Sequence, residues 1–279
     1  MTYTDTLISR EPGMAAAMKR QFLTVILLLF SSSAFSQTMN AEQIIEQSQR
    51  AFYYAAEDMQ AKITMQLIDA DGGTRKRVMT MLRRDTTDGG EQKYFIYFHE
   101  PGDVRRMTFM VWKDPVKEDQ RWIFIPAVDL VRRIAADDKR SSFVGSDFTY
   151  EDISGRDVAD DSHTLLREET LADRKAYVVE SIPKEMVEYS KRISWIDKQT
   201  LLPLKETYYD AQDELYRIFT ADKIKEVDGW PTVTQRTMKN LKSGHRTEVV
   251  FDTIAYDVGL ADKDFSERRM RRPPRAWIE

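Results

Sequence analysis

No cysteine occurs in the 279 residues of this chain. That excludes disulfides, thiol catalysis, thiolate metal sites and lipid attachment to cysteine. Histidine is scarce too: only His99, His163 and His245 occur, far apart in sequence. His99-Glu100 is followed by Pro101, so the metal-binding H-E-x-x-H pattern is absent. With 11 glycines there is no glycine-rich phosphate loop, and Gly145-Ser146-Asp147 lacks the flanking glycines of a nucleophile elbow. Asp69-Ala70-Asp71-Gly72-Gly73 starts like a calcium loop, but Gly73 takes a ligand position and a hairpin turn fits better. Adjacent carboxylates such as Glu151-Asp152 would point apart in a strand. Carboxylates paired from distant segments, as in glycosidases, leave no mark in a single sequence. No catalytic residue, metal or cofactor is therefore expected. A net charge of −4 offers no basic face for nucleic acid.

Long apolar runs are missing as well, with one exception. Met18-Lys19-Arg20 is followed by the unbroken run Phe22 to Phe30, and then by small residues at Ala34-Phe35-Ser36. This is the pattern of a cleaved signal peptide over residues 1–36. A membrane-spanning helix needs about 20 apolar residues, more than this run supplies. Residues 1–17 fit poorly, because Asp5 and Glu11 precede the basic segment, and translation is expected to start at Met14 or Met18. The mature chain 37–279 is expected in the periplasm, neither lipidated nor anchored by a helix.

What is present points to a large β-rich domain. Hydrophobic residues make up 42% and charged residues 32%, enough for one packed core under a solvated surface. Ile44, Ile45, Ser48, Ala51 and Phe52 recur at helical spacing after Asn40, a suitable N-cap. From Ala61 the period becomes two. Hairpin and turn signals then separate strands near 62–67, 77–84, 93–99, 107–112, 122–125 and 130–134. A second series is expected near 163–169, 176–182, 192–197, 204–209, 215–224, 232–240 and 246–256. Such short connections favour antiparallel neighbours. So many strands in succession outrun a flat sheet, so curling toward an incomplete barrel is expected. Tyr94 to Phe98 and Met107 to Trp112 are apolar on both faces. Each face must then be covered, or one must line an apolar cavity.

Two segments break the pattern. Residues 135–161 mix a polar start with Phe143, Phe148 and Tyr150, which suggests a lid over the sheet. The end of the chain, 268–279, carries Arg268, Arg269, Arg271, Arg272 and Arg275 and reads as a solvated basic tail, or as a contact for an anionic partner.

The run Ser141-Ser142-Phe143-Val144-Gly145-Ser146-Asp147-Phe148-Thr149-Tyr150-Glu151-Asp152 resembles a signature of the outer-membrane lipoprotein-sorting-like, or LolA-like, proteins. Trp122 to Pro126 before it and Asp197 to Lys205 after it fit the same family. The resemblance implies a half-open antiparallel β-barrel with a helical and loop lid over an apolar cavity. It also implies a periplasmic carrier or chaperone for acylated lipoprotein or lipid cargo. An inner-membrane exporter of the RND type or an outer-membrane acceptor is the implied partner. Cargo-binding candidates are Phe143, Val144, Phe148 and Tyr150 in the loop, with Tyr94, Phe98, Phe109, Trp112, Trp122 and Phe124 on the strands. Arg271, Arg272 and Arg275 are the candidates for partner contact. The chain is longer than a classical carrier, so a lipid-reading accessory or sensor of an exporter is the alternative. A periplasmic hydrolase is the second.

Overall fold

Asn40 opens the first helix, α1 (Ala41–Tyr53), with a reciprocal cap. Its Oδ1 accepts from the Gln43 amide at 2.9 Å, and Gln43 Oε1 accepts from the Asn40 amide at 3.0 Å. Both donors belong to the first turn, which has no partners inside the helix. The apolar stripe read from the spacing becomes the buried side: Ile44 and Ile45 pack against Val179 and Ile196. The structure, a computed structural model, describes residues 39–279 apart from Asp88. The expected signal peptide and the uncertain start at 1–17 lie outside the described residues.

Beyond α1 the chain runs as strands β1 (Asp58–Ile68), β2 (Thr74–Asp85), β3 (Gln92–Glu100), β4 (Thr108–Lys113), β5 (Gln120–Ile125) and β6 (Leu130–Ile134). After the loop come β7 (Asp161–Leu171), β8 (Arg174–Pro183), β9 (Lys191–Asp197), β10 (Pro203–Tyr209), β11 (Leu215–Val227), β12 (Trp230–Asn240) and β13 (Arg246–Tyr256). Each group is an antiparallel meander, as the short connections predict. Pairing of β1 with β13 then joins the two into one sheet of 13 strands, ordered β6-β5-β4-β3-β2-β1-β13-β12-β11-β10-β9-β8-β7. This seam was not legible in turn signals, which report neighbours in sequence only. The edge strands β6 and β7 do not pair, so the sheet stays open rather than closing into a barrel.

The doubly apolar strands have cover on both faces. Residues of one parity (Met59, Ala61, Ile63, Met65 and Leu67 on β1; Tyr94, Ile96 and Phe98 on β3; Phe109 and Val111 on β4) share one core with the loop. We call this the inner face. Residues of the other parity, Leu82, Phe95, Met110 and Phe124, form a second core on the outer face with Leu260, Phe265 and Met270. The chain end, expected as a solvated tail, is docked there as α3 (Glu267–Arg271) and α4 (Arg275–Ile278). Met270 and Ile278 are buried, Trp112 Nε1 donates to the Phe265 carbonyl at 2.9 Å, and Thr108 Oγ1 donates to that of Met270 at 3.1 Å. The arginine run concealed this, because the few apolar residues among the charges decide the docking through the area they bury.

Candidate functional site

The segment between β6 and β7 has structure of its own. A single β-bridge joins Ser142 to Thr149, and the Phe143 amide donates to the Phe148 carbonyl at 2.7 Å. Gly145 sits at φ +79°, a left-handed conformation that favours glycine, and lets the loop reverse. Ser142 Oγ donates to the Ser146 carbonyl at 2.6 Å. Asp147 latches the loop to β13: its amide donates to Thr247 Oγ1 at 2.9 Å, and its carboxylate accepts from that hydroxyl at 2.8 Å and meets His245 Nδ1 at 2.7 Å. Thr149 and Asp152 then cap the short helix α2 (Tyr150–Ser154) reciprocally. The polar residues of the signature thus fold and fasten the loop, which frees its aromatic residues to point inward.

Seven of the ten aromatic and aliphatic candidates come together on the inner face. Phe143 stands with its ring centroid 6.0 Å from Phe98, 5.3 Å from Phe109 and 5.5 Å from Tyr150. Phe148 and Tyr94 are buried in the same core, and Val144 packs against it half-buried. The other three point away. Trp112, Trp122 and Phe124 lie on the outer face, under the C-terminal segment, because their positions have the opposite parity along β4 and β5. Of the three basic candidates, Arg271 is exposed but bonded within the chain: its Nε donates to Asp129 Oδ1 at 3.1 Å and its guanidinium lies over Phe124. Arg272 and Arg275 are exposed.

The loop fills the place where an open apolar cavity was expected. Two small cavities of about 60 Å³ each lie beneath it, one bordered by α1 and β9–β12 and the other by α1, β1, β2 and β13, and a wider cleft of about 660 Å³ adjoins the first between α1, residues 113–121 and residues 155–160. Ligand pockets commonly hold roughly 300–1,000 Å³, so neither small cavity takes an acyl chain while the loop is in place. One wall is charged, which sequence reasoning missed. Arg156 Nε donates to Asp161 at 2.9 Å, Arg192 approaches Glu206 at 3.6 Å, and Arg217 donates to Asp152 at 3.2 Å. A usable signal existed: Arg217 and Arg236 stand two residues from the buried Phe219 and Met238, in phase with the inner face.

Next to this network His163 Nε2 donates to the Val158 carbonyl (3.0 Å), and its Nδ1 meets Ser181 Oγ at 2.8 Å. Burial holds its imidazole below the usual range, against the pull of the carbonyl and Asp161. The unfolded chain then binds more protons, so stability that is full above the ordinary histidine range is lost as pH falls through the depressed value. The urea midpoints of wild type and His163→Gln should therefore converge between pH 7.5 and pH 5, about the range over which histidine titrates. A constant difference would remove His163 from the pH dependence.

A family model described as "Uncharacterized protein" matches residues 90–272. Among solved structures, a domain assigned to outer membrane lipoprotein sorting, from Vibrio parahaemolyticus, is 26% identical with a TM-score of 0.77. That alignment covers 83% of this chain and 98% of the other. The chain belongs to the LolA-like family. A DUF1329 family protein from Desulfovibrio piger is similar to it at 29% identity and a TM-score of 0.74, over 81% of this chain and 95% of its own. A LolA superfamily protein from Nitrosomonas europaea, 20% identical, shares the fold at a TM-score of 0.64 over 82% of this chain and 99% of its own. No curated protein matches the chain. In this LolA-like chain the sheet is open and its inner face is covered, and no helix among the described residues is long and apolar enough to cross a membrane.

Proposed function

We propose that this LolA-like chain is a periplasmic carrier or chaperone that takes up the acyl chains of lipoproteins or lipids for outer-membrane sorting. One observation carries this reading: the apolar inner face of an open sheet is stoppered by a short loop with three aromatic side chains. The loop touches the sheet through side chains and a few latches rather than through a strand ladder. Such a plug can exchange for a ligand. A dozen buried methylenes contribute roughly 10 kcal/mol, whereas three aromatic side chains contribute roughly 5–9 kcal/mol, so an acyl chain competes on equal terms. In this reading Phe143, Val144, Phe148 and Tyr150 are what the cargo displaces. Tyr94, Phe98 and Phe109 form the floor it then contacts. Methionines at 59, 65, 79 and 81 add an adaptable surface to that floor. The exposed Arg272 and Arg275 remain available for a partner at the membrane.

The test is native mass spectrometry on protein purified from periplasm without detergent, followed by lipid extraction. A near-stoichiometric acylated adduct is expected. Protein that carries none, and that takes up no acyl lipid when it is offered, would overturn the carrier reading.

A further inference from the structure

Enclosed guanidinium groups in this fold generally have acceptors. Arg83 donates to the carbonyls of Tyr53, Ala55 and Ala56, Arg121 to Asp119, and Arg217 to Asp152. Two do not. Among the described residues neither Arg236 nor Arg77 makes a hydrogen bond or an ion pair, and the Nε of each is buried. A buried charge without a partner is costly, and guanidinium cannot escape by losing its proton.

The two occupy one row of the sheet. Arg236 on β12 lies opposite Val249 on β13, Val249 opposite Met65 on β1, and Met65 opposite Arg77 on β2. Three strand spacings, about 14 Å, separate them. The aromatic loop spans the row. Phe148 stacks on Arg236 with the guanidinium 5.3 Å from the ring centroid, and a Cβ on Gly145 would stand 3.9 Å from Arg77 Nη2. Arg236 also faces Phe52 of α1 at 5.5 Å and Phe251 at 5.2 Å, so three rings surround a cation that no anion meets. It borders both inner cavities: the one with the charged wall, and the one lined by Met59, Met81, Phe251 and Ile254. Burial lowers the proton affinity of Arg236, as expected where no counter-charge is in contact. The nearest carboxylate in its field, Asp152, is already committed to Arg217 and to the Thr149 amide.

We propose that the cargo is an amphiphile with an oxyanion headgroup, carboxylate or phosphate, which Arg236 binds once the 142–149 loop lifts, while the chain lies along the apolar cavity. This rests on the carrier reading and narrows it, since a neutral acyl group would leave Arg236 unmatched. The three rings hold the guanidinium in place until the headgroup arrives, and a bidentate contact with carboxylate or phosphate is the geometry that guanidinium favours.

Binding of dodecyl phosphate, dodecanoate, dodecanol and inorganic phosphate should be measured by calorimetry on wild type, Arg236→Gln, Arg236→Lys and Arg77→Gln. Wild type is expected to bind at least one of the anionic amphiphiles about tenfold or more tighter than dodecanol, as a charge-assisted hydrogen bond predicts. The tighter anion names the headgroup class. Arg236→Gln should erase that preference, bringing both anions to the level of dodecanol, while Arg236→Lys should retain part of it. Arg236→Gln removes an unmatched charge together with three ring contacts, and its urea midpoint, read on the same preparation, separates lost affinity from lost folding. Equal binding of dodecanol and both anions by wild type would overturn the anchor and leave the carrier reading intact. So would a preference that survives Arg236→Gln, or one abolished only by Arg77→Gln. Inorganic phosphate binding as tightly as dodecyl phosphate would overturn the amphiphile. Failure of all three chain-bearing probes would defeat the carrier reading itself.

Discussion

Asp58→Ala should lower the free energy of unfolding by about 3–5 kcal/mol, because it strands three backbone donors at once. The Asp58 carboxylate accepts from the amides of Val258 (2.7 Å), Gly259 (3.0 Å) and Leu260 (2.7 Å). Asp58 is itself buried, and the backbone at Gly259 is left-handed at φ +84°, so the chain turns around the carboxylate where it leaves β13. Two further bonds tie the same corner: the Asp257 amide donates to the Asp58 carbonyl at 3.0 Å, and the Glu57 amide donates to Asp257 Oδ1 at 2.9 Å. The residue therefore fastens the start of the first strand to the segment that covers the outer face. Asp58→Asn keeps one acceptor oxygen and should recover about half of the loss, since the charge-assisted part disappears. Urea unfolding of both variants decides this. An alanine variant within about 1 kcal/mol of wild type would mean that water replaces the carboxylate without penalty.

Phe143→Ala should destabilise the free protein and, at the same time, tighten its hold on cargo. The ring is fully buried between Phe98, Phe109 and Tyr150, and truncation of such a residue costs about 3–5 kcal/mol. If cargo replaces the loop, that lost packing belongs to the closed form alone. The binding-competent form then rises in population, and apparent affinity rises in proportion. A rise of about tenfold needs only about 1.4 kcal/mol of the loss to fall on the closed form. The melting temperature and the affinity for dodecyl phosphate, read on the same preparation, give the answer. A fall in both would place Phe143 in the wall that holds cargo rather than in the plug that yields to it.

How much of this was legible depends on range. The strands were readable because their period, turn residues and short connections are local, and so was the cap of α1 at Asn40 and Gln43. The importance of Ser142 to Asp152 was readable from its aromatic residues in an otherwise polar connection. Their sorting onto two faces was only half visible. Phe109 and Trp112 look alike in sequence, yet their parity sends one under the loop and the other under the C-terminal segment. The unmatched pair Arg77 and Arg236 was invisible, because it exists only through the registers of β2 with β1, β1 with β13 and β13 with β12.

Pairing of the first strand with the last has a consequence for how the molecule comes into being. Residues 58 and 256 lie at opposite ends of the folded chain, yet their strands meet in the middle of the sheet. Contacts of such long sequence separation demand loop closure before they return any stabilisation, which slows folding. As the chain is synthesised, the six-strand meander that opens it would expose the long open edge of β1 and a bare apolar outer face. Both are covered only when β13 and the segment after it arrive. Until β13 and residues 257–278 are in place, that edge and that face are open to pairing with copies of the same chain.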